Sequence, residues 1–396
     1  MSEKFFNGDE GLYVHFPFCR RKCRYCAFYS VPGSPDELRD DIDAYIDALG
    51  YEMQEFSERH PDFMPKTVYI GGGTPSLMNS RQFENLYLAL DVNFTLDHVK
   101  EFTFEVNPGM MPSDAMLDMM QKKGVTRLSV GTQSFVESEL KWMGRIHSAK
   151  EAIEAIDTAQ LFQFGLSCDL IYSLPGQTED DIKRSLDILI DKKVKHISAY
   201  TLIIEKGTPV GDELLNSNIP NDDEREGELF DFVSDYLRKN GYDHYEVSSF
   251  ARIENDEKGK PIDNRAMHNL NYWRHGNYAG FGAAAYGHFP GYHTRNCADY
   301  KQYTMQLDAG TLPTATERLS THQTVEEIVM VGLRSSEGID TDLINRKYGI
   351  NPMRGANGLF FDQLIEDGYA GRDNKRYFLT PKGFAICDFI LRKLEF

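Results

Sequence analysis

The stretch YVHFPFCRRKCRYCAFYS, residues 13–30, joins a short apolar strand to a loop that carries three cysteines. Cys19, Cys23 and Cys26 follow the spacing C-x3-C-x2-C, and Phe28 stands two positions after the last of them. Thiolates bind soft metals and iron–sulfur clusters. Spacing alone leaves three interpretations open: a [4Fe–4S] cluster with one iron that lacks a protein ligand, a zinc site, and unconnected thiols. A structural zinc site normally pairs two Cys-x2-Cys units, and no second cysteine pair is present.

The composition predicts an acidic globular protein. The 396 residues include 43 Lys and Arg against 61 Asp and Glu, for a formal net charge of −18. Such a chain repels phosphate backbones, so we expect no nucleic-acid partner. No apolar run reaches the ~18 residues of a membrane span. The N-terminal MSEKFFNGDE has no apolar signal segment, and the other cysteines are scattered, so we expect a reducing, cytoplasmic location.

Short apolar stretches alternate with amphipathic ones from Leu12 to about Ile204. Six are predicted strands, which begin at residues 12, 67, 101, 127, 164 and 196: LYVHF, TVYIGG, EFTFEVN, RLSVGTQS, FGLSCDLIYS and HISAYTLII. Helical patterns lie between them, for example at residues 36–58 and 178–192, where Thr178 and Asp181 form a near-capping box. These repeated β-α units predict a parallel sheet with crossover helices.

Polar residues and glycines recur where the predicted strands end, namely Gly72, Gly73, Glu105, Asn107, Gln133, Asp169 and Tyr200. The carboxyl ends of parallel strands lie at one edge of a sheet, so these residues predict a single site. A TIM-like barrel and an open doubly wound sheet would both place a ligand there. The pattern therefore locates the site and leaves the topology open.

The pattern changes after Ile204. A helix is predicted at about residues 224–240, followed by a charged loop and the aromatic, glycine-rich segment HNLNYWRHGNYAGFGAAAYGHF. From about Leu319 onward, helices, a hairpin-like stretch and a last helix indicate a small winged-helix-like domain. Residues 317–396 hold 11 Lys and Arg against 12 Asp and Glu. This balance favours a structural or docking role over DNA binding.

The cysteine loop after a first strand resembles the signature of the radical S-adenosylmethionine superfamily. The resemblance implies an α/β fold, a partial (β/α)6 TIM-like barrel with the small C-terminal winged-helix-like α+β domain. We assign residues 1–240 to the core, 241–316 to a barrel-closing segment and 317–396 to the last domain. In the superfamily the free iron of a [4Fe–4S] cluster binds S-adenosylmethionine, and one-electron reduction yields a 5′-deoxyadenosyl radical.

The resemblance also implies the roles of individual residues. Cys19, Cys23 and Cys26 would hold the cluster. GGGTPSLM resembles the glycine-rich strand end that approaches the cofactor's amino group; Glu105 suits that ammonium, Arg145 its carboxylate and Asp169 the ribose hydroxyls. The full set expected at S-adenosylmethionine is Tyr13, Tyr25, Gly72, Gly73, Thr74, Glu105, Gln133, Arg145, Asp169 and Ala199. No catalytic residue is predicted beyond these.

Within the superfamily, the chain is similar to the branch of oxygen-independent coproporphyrinogen III oxidase and the HemW heme chaperones. The oxidase has a further cysteine where Phe28 stands, and a longer arm than the twelve residues before Tyr13. HNLNYW matches a chaperone motif, which makes His268, Tyr272 and Trp273 candidate heme contacts. An alternative for His268 is a hydrogen-bonded residue that closes the barrel.

The resemblance therefore favours a heme chaperone that binds heme and passes it to an acceptor protein, with an electron donor as a second partner. The alternative is the oxidase, which decarboxylates porphyrinogen propionates in heme biosynthesis. The resemblance leaves open whether the chain is an enzyme, and heme is the expected third cofactor.

Overall fold

Six parallel strands stand side by side in chain order at the centre of the molecule. The computed structural model describes Phe6, residues 8–216 and residues 223–396. The six strands are β1 Glu10–Phe16, β2 Pro65–Gly72, β3 Glu101–Val106, β4 Arg127–Gln133, β5 Gly165–Tyr172 and β6 His196–Thr201. All six predicted strands are thereby confirmed. The order 1-2-3-4-5-6 excludes a doubly wound sheet, whose strand order reverses at a switch point.

Each central strand is buried on both faces. In β1, Leu12, Val14 and Phe16 are fully buried and belong to the main core. The alternate residues Gly11 and Tyr13 point to the other face, where the inward residues of the neighbouring strands surround one cavity. Burial on both faces is what a parallel sheet covered by crossover helices requires. The sheet is therefore curved around its own interior as a partial barrel.

Helices cover the outer face and begin at side-chain caps. The Thr178–Asp181 capping box is present, as predicted, and similar boxes begin two other helices at Asn79 and Ser148. Short turns at Pro75–Leu77, Leu96–His98 and Pro108–Met110 connect strands to helices. The helices of this half are α1 Arg39–Arg59, α2 Ser80–Asn93, α3 Asp114–Lys122, α4 Glu137–Met143, α5 Ala149–Leu161, α6 Glu179–Asp191, α7 Pro209–Leu215 and α8 Asp223–Lys239.

The segment after α8 extends both edges of the sheet, which the sequence did not predict. A hairpin of β7 Tyr242–Glu246 and β8 Ser249–Arg252 adds to β6, and helix α9 spans Met267–Trp273. The strand β9 Tyr278–Phe281 lies parallel to β1 on the opposite edge. Three antiparallel strands follow it, β10 Tyr286–Phe289, β11 Tyr292–Asn296 and β12 Thr314–Arg318, with helix α10 Tyr300–Asp308 before the last. In the described part of the chain β7 and β12 are the two edge strands of the sheet and do not pair with each other, so the barrel is open.

The C-terminal region has its own hydrophobic core, which includes Val329, Leu333, Phe361 and Ile390. Its elements are α11 Thr321–Gly332, α12 Thr341–Tyr348, α13 Ala356–Glu366, β13 Ala370–Asp373, β14 Arg376–Leu379, α14 Pro381–Phe384 and α15 Cys387–Lys393, and the short strand Ile339–Asp340 completes a three-stranded sheet. Three helices with a hairpin wing give the winged-helix-like arrangement. The predicted fold class is confirmed, while the three domain boundaries remain a prediction.

Candidate cluster and cofactor site

The cysteine loop lies across the carboxyl end of β1. Phe18–Cys19 pairs with Val31–Pro32 and closes the base of the loop. Thr74 donates a hydrogen bond from Oγ1 to the Cys19 sulfur at 3.5 Å, and Arg145 Nη1 lies 3.2 Å from the Cys23 sulfur. A residue after the end of β2 and a residue in the loop after α4 therefore contact two of the three thiols.

Gly72 and Gly73 allow the end of β2 to pack directly beneath the cysteine loop. The Gly73 amide donates to the Phe16 carbonyl at 2.7 Å, and a Cβ at Gly73 would lie 2.6 Å from the Phe18 carbonyl oxygen. Gly72 has φ +107°, and a Cβ there would lie 2.4 Å from the His15 ring. Close contact with the backbone of the cysteine loop is thus a sufficient reason for Gly73, and the positive φ with the contact to His15 is a sufficient reason for Gly72.

A cavity of about 570 Å³ runs from the cysteine loop into the barrel interior. Most of the predicted site residues line it. These are Cys19, Cys23, Tyr25, Cys26, Gly72, Gly73, Thr74, Glu105, Gln133, Arg145 and Asp169. The cavity is therefore lined by predicted residues of the cysteine loop and of four successive strands, together with Arg145.

Two carboxylates in this cavity have environments that favour their neutral forms. Glu105 accepts hydrogen bonds from the Tyr69 hydroxyl at 2.7 Å and the Gly72 amide at 3.0 Å, yet burial raises its pKa above the usual range. Burial, and then the charge of Glu105, raise the pKa of Asp169 to about 7. A cationic ligand between these two groups would favour their ionisation, so the pair suits an ammonium group.

Arg145 connects the cluster loop to the barrel. Its Nη2 donates to the Gly131 carbonyl at 2.7 Å, while Nη1 also lies 3.4 Å from the Tyr25 hydroxyl. Its buried Nε has no hydrogen-bond partner. Burial opposes the charge of Arg145, but Tyr25 and Cys23 outweigh that effect and raise its pKa. A buried guanidinium with a free donor is suited to an anionic group such as a carboxylate.

Gln133 has a strained backbone at the edge of the same cavity. Its φ is +63°, and the pairing of β4 with β5 shifts register between Val130 and Gln133. Non-glycine residues in this left-handed region are uncommon, and such strain is concentrated at functional sites. This bulge turns the end of β4 toward the cavity.

Two of the residues predicted at S-adenosylmethionine do not line the cavity. Tyr13 is buried one layer below the glycines, where its hydroxyl hydrogen-bonds His15 Nδ1 at 2.9 Å and its ring lies 6.1 Å from Tyr69. Ala199 points to the other face of β6, because its neighbours Ser198 and Tyr200 are the ones that line the cavity. A strand exposes alternate residues to one face, so a cofactor in the cavity would meet Ala199 only through its backbone.

The HNLNYW residues lie at the opposite end of the barrel from the cysteines. His268 is buried in α9, with Nδ1 at 2.8 Å from the Thr67 hydroxyl and Nε2 at 2.7 Å from the Tyr272 hydroxyl. Trp273 packs in a separate small cluster with Tyr245, and neither Tyr272 nor Trp273 lines the cavity. Both His268 nitrogens are engaged, so an iron could bind there only after one of these hydrogen bonds broke. This is the geometry of the alternative interpretation, a hydrogen-bonded residue that closes the barrel.

The sequence analysis did not identify several residues that line the cavity: Tyr69, Thr103, Arg127, Ser129 and Ser198. Each occupies a position of its strand whose side chain points into the barrel. Polar residues at alternate positions of otherwise apolar strands were the signal that could have identified them. The buried Thr103 hydroxyl has no hydrogen-bond partner, and it faces the interior of the barrel.

Among the described residues, the three cysteine sulfurs do not all lie within 4.8 Å of one another. A single zinc at about 2.3 Å from each sulfur would hold them less than about 4 Å apart. In the part of the chain that the structure describes, the group of three metal-ligating atoms that do lie within 4.8 Å of one another is elsewhere in the molecule. Burial raises the pKa of the Cys19 thiol to about 11, against the hydrogen bond from Thr74. The wide spacing fits a cubane, whose irons would supply the charge that stabilises thiolates.

Comparisons with known proteins agree with this geometry. The model of the radical SAM superfamily matches residues 13–189. The heme chaperone HemW of Lactococcus lactis is 32% identical over 390 residues, which cover 96% of each chain. The heme chaperone HemW of Escherichia coli is 36% identical over 281 residues, 70% of this chain and 69% of its own.

A solved structure shares the fold. Coproporphyrinogen III oxidase (HemN) from Escherichia coli, described as a radical SAM enzyme, aligns with a TM-score of 0.77 and 21% identity. The alignment covers 97% of this chain and 90% of the oxidase. In the described part of this chain, no helix combines the length and apolar character that crossing a membrane requires. The chain belongs to the HemW family, in the branch of the radical SAM superfamily that also contains HemN.

Proposed function

We propose that Cys19, Cys23 and Cys26 hold a [4Fe–4S] cluster and that S-adenosylmethionine binds its fourth iron at the mouth of the cavity. The family implies both cofactors. The wide spacing of the sulfurs, the unpartnered Arg145 Nε and the raised pKa values of Glu105 and Asp169 support the fit. Bound there, the cofactor supplies one-electron chemistry at a carbon–sulfur bond.

The protein's part in this site is to position the cofactor and exclude water. We assign Glu105 to the ammonium, Arg145 to the carboxylate and Asp169 to the ribose hydroxyls. Gly72, Gly73 and Thr74 form the floor beneath the cluster, and Gln133 and Tyr25 form its walls. Tyr13 acts one layer below through its contacts with His15 and Tyr69, and Ala199 contributes its backbone.

We further infer that the protein is a heme chaperone, which binds heme and passes it to an acceptor protein in the cytoplasm. The observation that carries this inference is Phe28, which stands where the oxidase branch has a further cysteine and is 68% exposed at the cavity mouth. Two relatives that align with 96% and 94% of this chain are named heme chaperones. An electron donor would serve the cluster, and the acceptor receives the heme.

Heme is a flat apolar ring, and the cavity mouth offers a matching rim. Ile203 is 66% exposed and Tyr200 is 39% exposed, and both line the mouth on the side of β6. Exposed aromatic and aliphatic side chains around a cavity mark a ligand surface. We place heme against Phe28, Tyr200 and Ile203, since His268 is engaged by Thr67 and Tyr272.

The test is anaerobic reconstitution of the cluster, followed by heme titration and a coproporphyrinogen turnover assay. We expect stoichiometric heme binding without decarboxylation. Phe28→Ser and Ile203→Ser should each weaken heme binding about tenfold, a loss of about 1.4 kcal/mol for an exposed apolar contact. His268→Gln should bind heme as the unaltered chain does.

Two outcomes would change the assignment. Rapid turnover without heme binding would replace the chaperone with the alternative, the oxidase. Loss of heme binding in His268→Gln alone, in protein that keeps its fold, would return the iron to the HNLNYW motif and require α9 to open.

A further inference from the structure

A second cluster of metal-ligating side chains lies on the outside of the barrel, far along the chain from the cysteines. The ligand atoms of His275, His288 and Glu327 all lie within 4.8 Å of one another. The His293 Nε2 atom is 2.8 Å and 3.0 Å from the two Glu327 carboxylate oxygens. Four ligating side chains from four elements therefore meet: the loop after α9, the strands β10 and β11, and the helix α11.

The hydrogen bonds of His288 leave one nitrogen free and aimed into this cluster. Its Nδ1 is 3.0 Å from the Gly276 carbonyl oxygen, which can only accept, so the proton is on Nδ1. Its Nε2 then carries a lone pair, and this buried atom has no hydrogen-bond partner. A backbone carbonyl that fixes the tautomer of an imidazole is the usual arrangement behind a metal-bound histidine.

The other histidines are held on the same centre. His293 is the cross-strand partner of His288, so both rings leave the same face of the sheet, with centroids 5.2 Å apart. His275 lies 3.3 Å from Glu327 through Nε2, and its ring centroid is 4.1 Å from that of His288. One histidine would be enough to form a hydrogen bond with Glu327, so that bond alone does not explain why three imidazoles pack together here.

The backbone of His275 is also unusual. It has φ +52° directly after α9, a position where helices commonly end in glycine. A side chain at this position costs conformational energy, and Gly276 is the next residue in the chain. The strain is explained if the imidazole of His275 is needed at this point.

We propose that His275, His288, His293 and Glu327 bind one divalent transition-metal ion of the Zn²⁺ class. Three imidazoles and one carboxylate form a complete four-coordinate set for such an ion. Zn²⁺ at 2.0–2.1 Å from each nitrogen holds its ligands about 3.3 Å apart, so the cluster contracts on binding. Glu327 and His293 are partly exposed and provide both the adjustment and the route from solvent.

Binding rearranges protons within the site. The Nε2 protons that His275 and His293 donate to Glu327 move to their Nδ1 atoms. The ion then takes the two freed Nε2 lone pairs, the free Nε2 lone pair of His288 and a carboxylate oxygen of Glu327.

The site would join two parts of the chain. Glu327 is in α11 of the C-terminal region, whereas the three histidines belong to the segment that extends the barrel. The ion pairs of Glu337 with Arg265 and Arg274 lie on the same boundary. A metal at this point is therefore a structural connection between the two regions, and the proposal is independent of the cofactor and heme assignments.

The test is the difference in zinc content between variants of the full chain, which cancels any zinc bound by the cysteines. Each protein is stripped with chelator, incubated with ZnCl₂, separated by gel filtration and analysed for zinc per chain. We expect Glu327→Gln and His288→Gln each to bind one zinc fewer than the unaltered chain. His322→Gln, an exposed histidine of α11 outside the cluster, should bind the same number as the unaltered chain.

Cobalt identifies the ligands. The Co²⁺ difference spectrum between the unaltered chain and Glu327→Gln should contain weak visible ligand-field bands without an intense sulfur-to-cobalt charge-transfer band. Zinc should raise the unfolding temperature of the unaltered chain more than that of Glu327→Gln. Equal zinc content in all four proteins, or a difference spectrum with charge-transfer intensity, would overturn the proposal. Glu327→Gln keeps the size of the side chain, so the result does not depend on His288→Gln folding.

Discussion

The two ends of the barrel differ in what covers them, a cysteine loop over an open cavity at one end and helix α9 at the other. At the carboxyl end of the strands, Arg145 Nε and the hydroxyls of Ser30 and Ser173 are buried without partners, and Gln133 and Ser173 have positive φ angles. At the amino end, α9 closes the barrel, and its first amides donate to Glu101 at 2.9 Å and 3.0 Å. Buried donors without partners occur at both ends, as Arg127 Nη1 shows at the amino end, so they do not separate the two. The open cavity marks the carboxyl end as the end for ligands, whereas the helix over the amino end contributes to stability.

This contrast explains why the cysteine loop and the HNLNYW motif have different roles. The cysteines sit in a loop with few regular hydrogen bonds of its own, over an open cavity. His268 sits in a chain of hydrogen bonds from Thr67 to Tyr272, beside the buried pair Glu101–Arg127. Substitutions in the cysteine motif should alter which ligands the protein holds. Substitutions around His268 should instead alter the free energy of unfolding.

The largest expected effect is at the ligand end. Cys19→Ser, Cys23→Ser and Cys26→Ser should each abolish the absorbance of the reconstituted cluster, because a cubane held by two thiolates is open at two irons. Cys297→Ser is the control, since that cysteine hydrogen-bonds Gln302 away from the cavity. Single variants that retain a full cluster would contradict the three-ligand site.

At the amino end, Glu101→Gln should lower the free energy of unfolding by about 3 kcal/mol, because it leaves the buried Arg127 charge without its partner. Chemical denaturation measures the change. The control is Asp118→Asn in the exposed pair with Lys122, where the loss should be about 0.5 kcal/mol or less. Similar losses in both variants would show that the amino end is not the stabilising end.

Gly73→Ala tests the packing beneath the cysteine loop. The added Cβ would lie 2.6 Å and 2.8 Å from the carbonyl oxygens of Phe18 and Phe16, so the loop must move. We expect a loss of about 2 kcal/mol in stability, as for other overpacked positions, together with slower cluster assembly. Gly227→Ala has open space around the new Cβ in α8 and should do neither. Normal assembly in Gly73→Ala would mean that the loop does not depend on this contact.

The last prediction is a gain in stability on replacing Asp169. The pKa of Asp169 is about 7 in the folded protein against about 3.9 in an unfolded chain, so the folded state binds more protons between these values. The free energy of unfolding therefore falls as the pH rises from 4 to 7. Without cofactor, Asp169→Asn should be about 2 kcal/mol more stable at pH 8, after allowance for partial exposure. The gain should vanish near pH 4; a gain independent of pH would contradict the assigned pKa.

The sequence predicted the parts of the fold that have a local signal. The six central strands and the Thr178 capping box follow from apolar runs and cap residues that can be read in a single window. The strand β9 beside β1 could not be predicted in this way, because its partner is more than 260 positions away and its sequence YAGF resembles a turn. The same is true of the β7–β8 hairpin, which interrupts the order of the sheet.

The candidate site divides in a similar way. Strand-end residues such as Glu105 and Asp169 were found because their position follows from the strand pattern. Tyr13 and Ala199 were named from a resemblance, and their side chains lie outside the cavity because inward and outward positions alternate along a strand. His268 was read as a heme ligand from its motif, whereas its hydrogen bonds come from residues as distant as Thr67.

The most direct test of the account is the electron paramagnetic resonance spectrum of the anaerobically reconstituted and reduced chain, recorded with and without S-adenosylmethionine. The account predicts four irons and four sulfides per chain and a cluster signal that changes on adding the cofactor, because it binds the iron that lacks a protein ligand. The change should disappear in Arg145→Met, which removes the cation near the cluster. A chain that takes up zinc in place of iron and sulfide, or a cluster signal that is the same with and without S-adenosylmethionine, would contradict it.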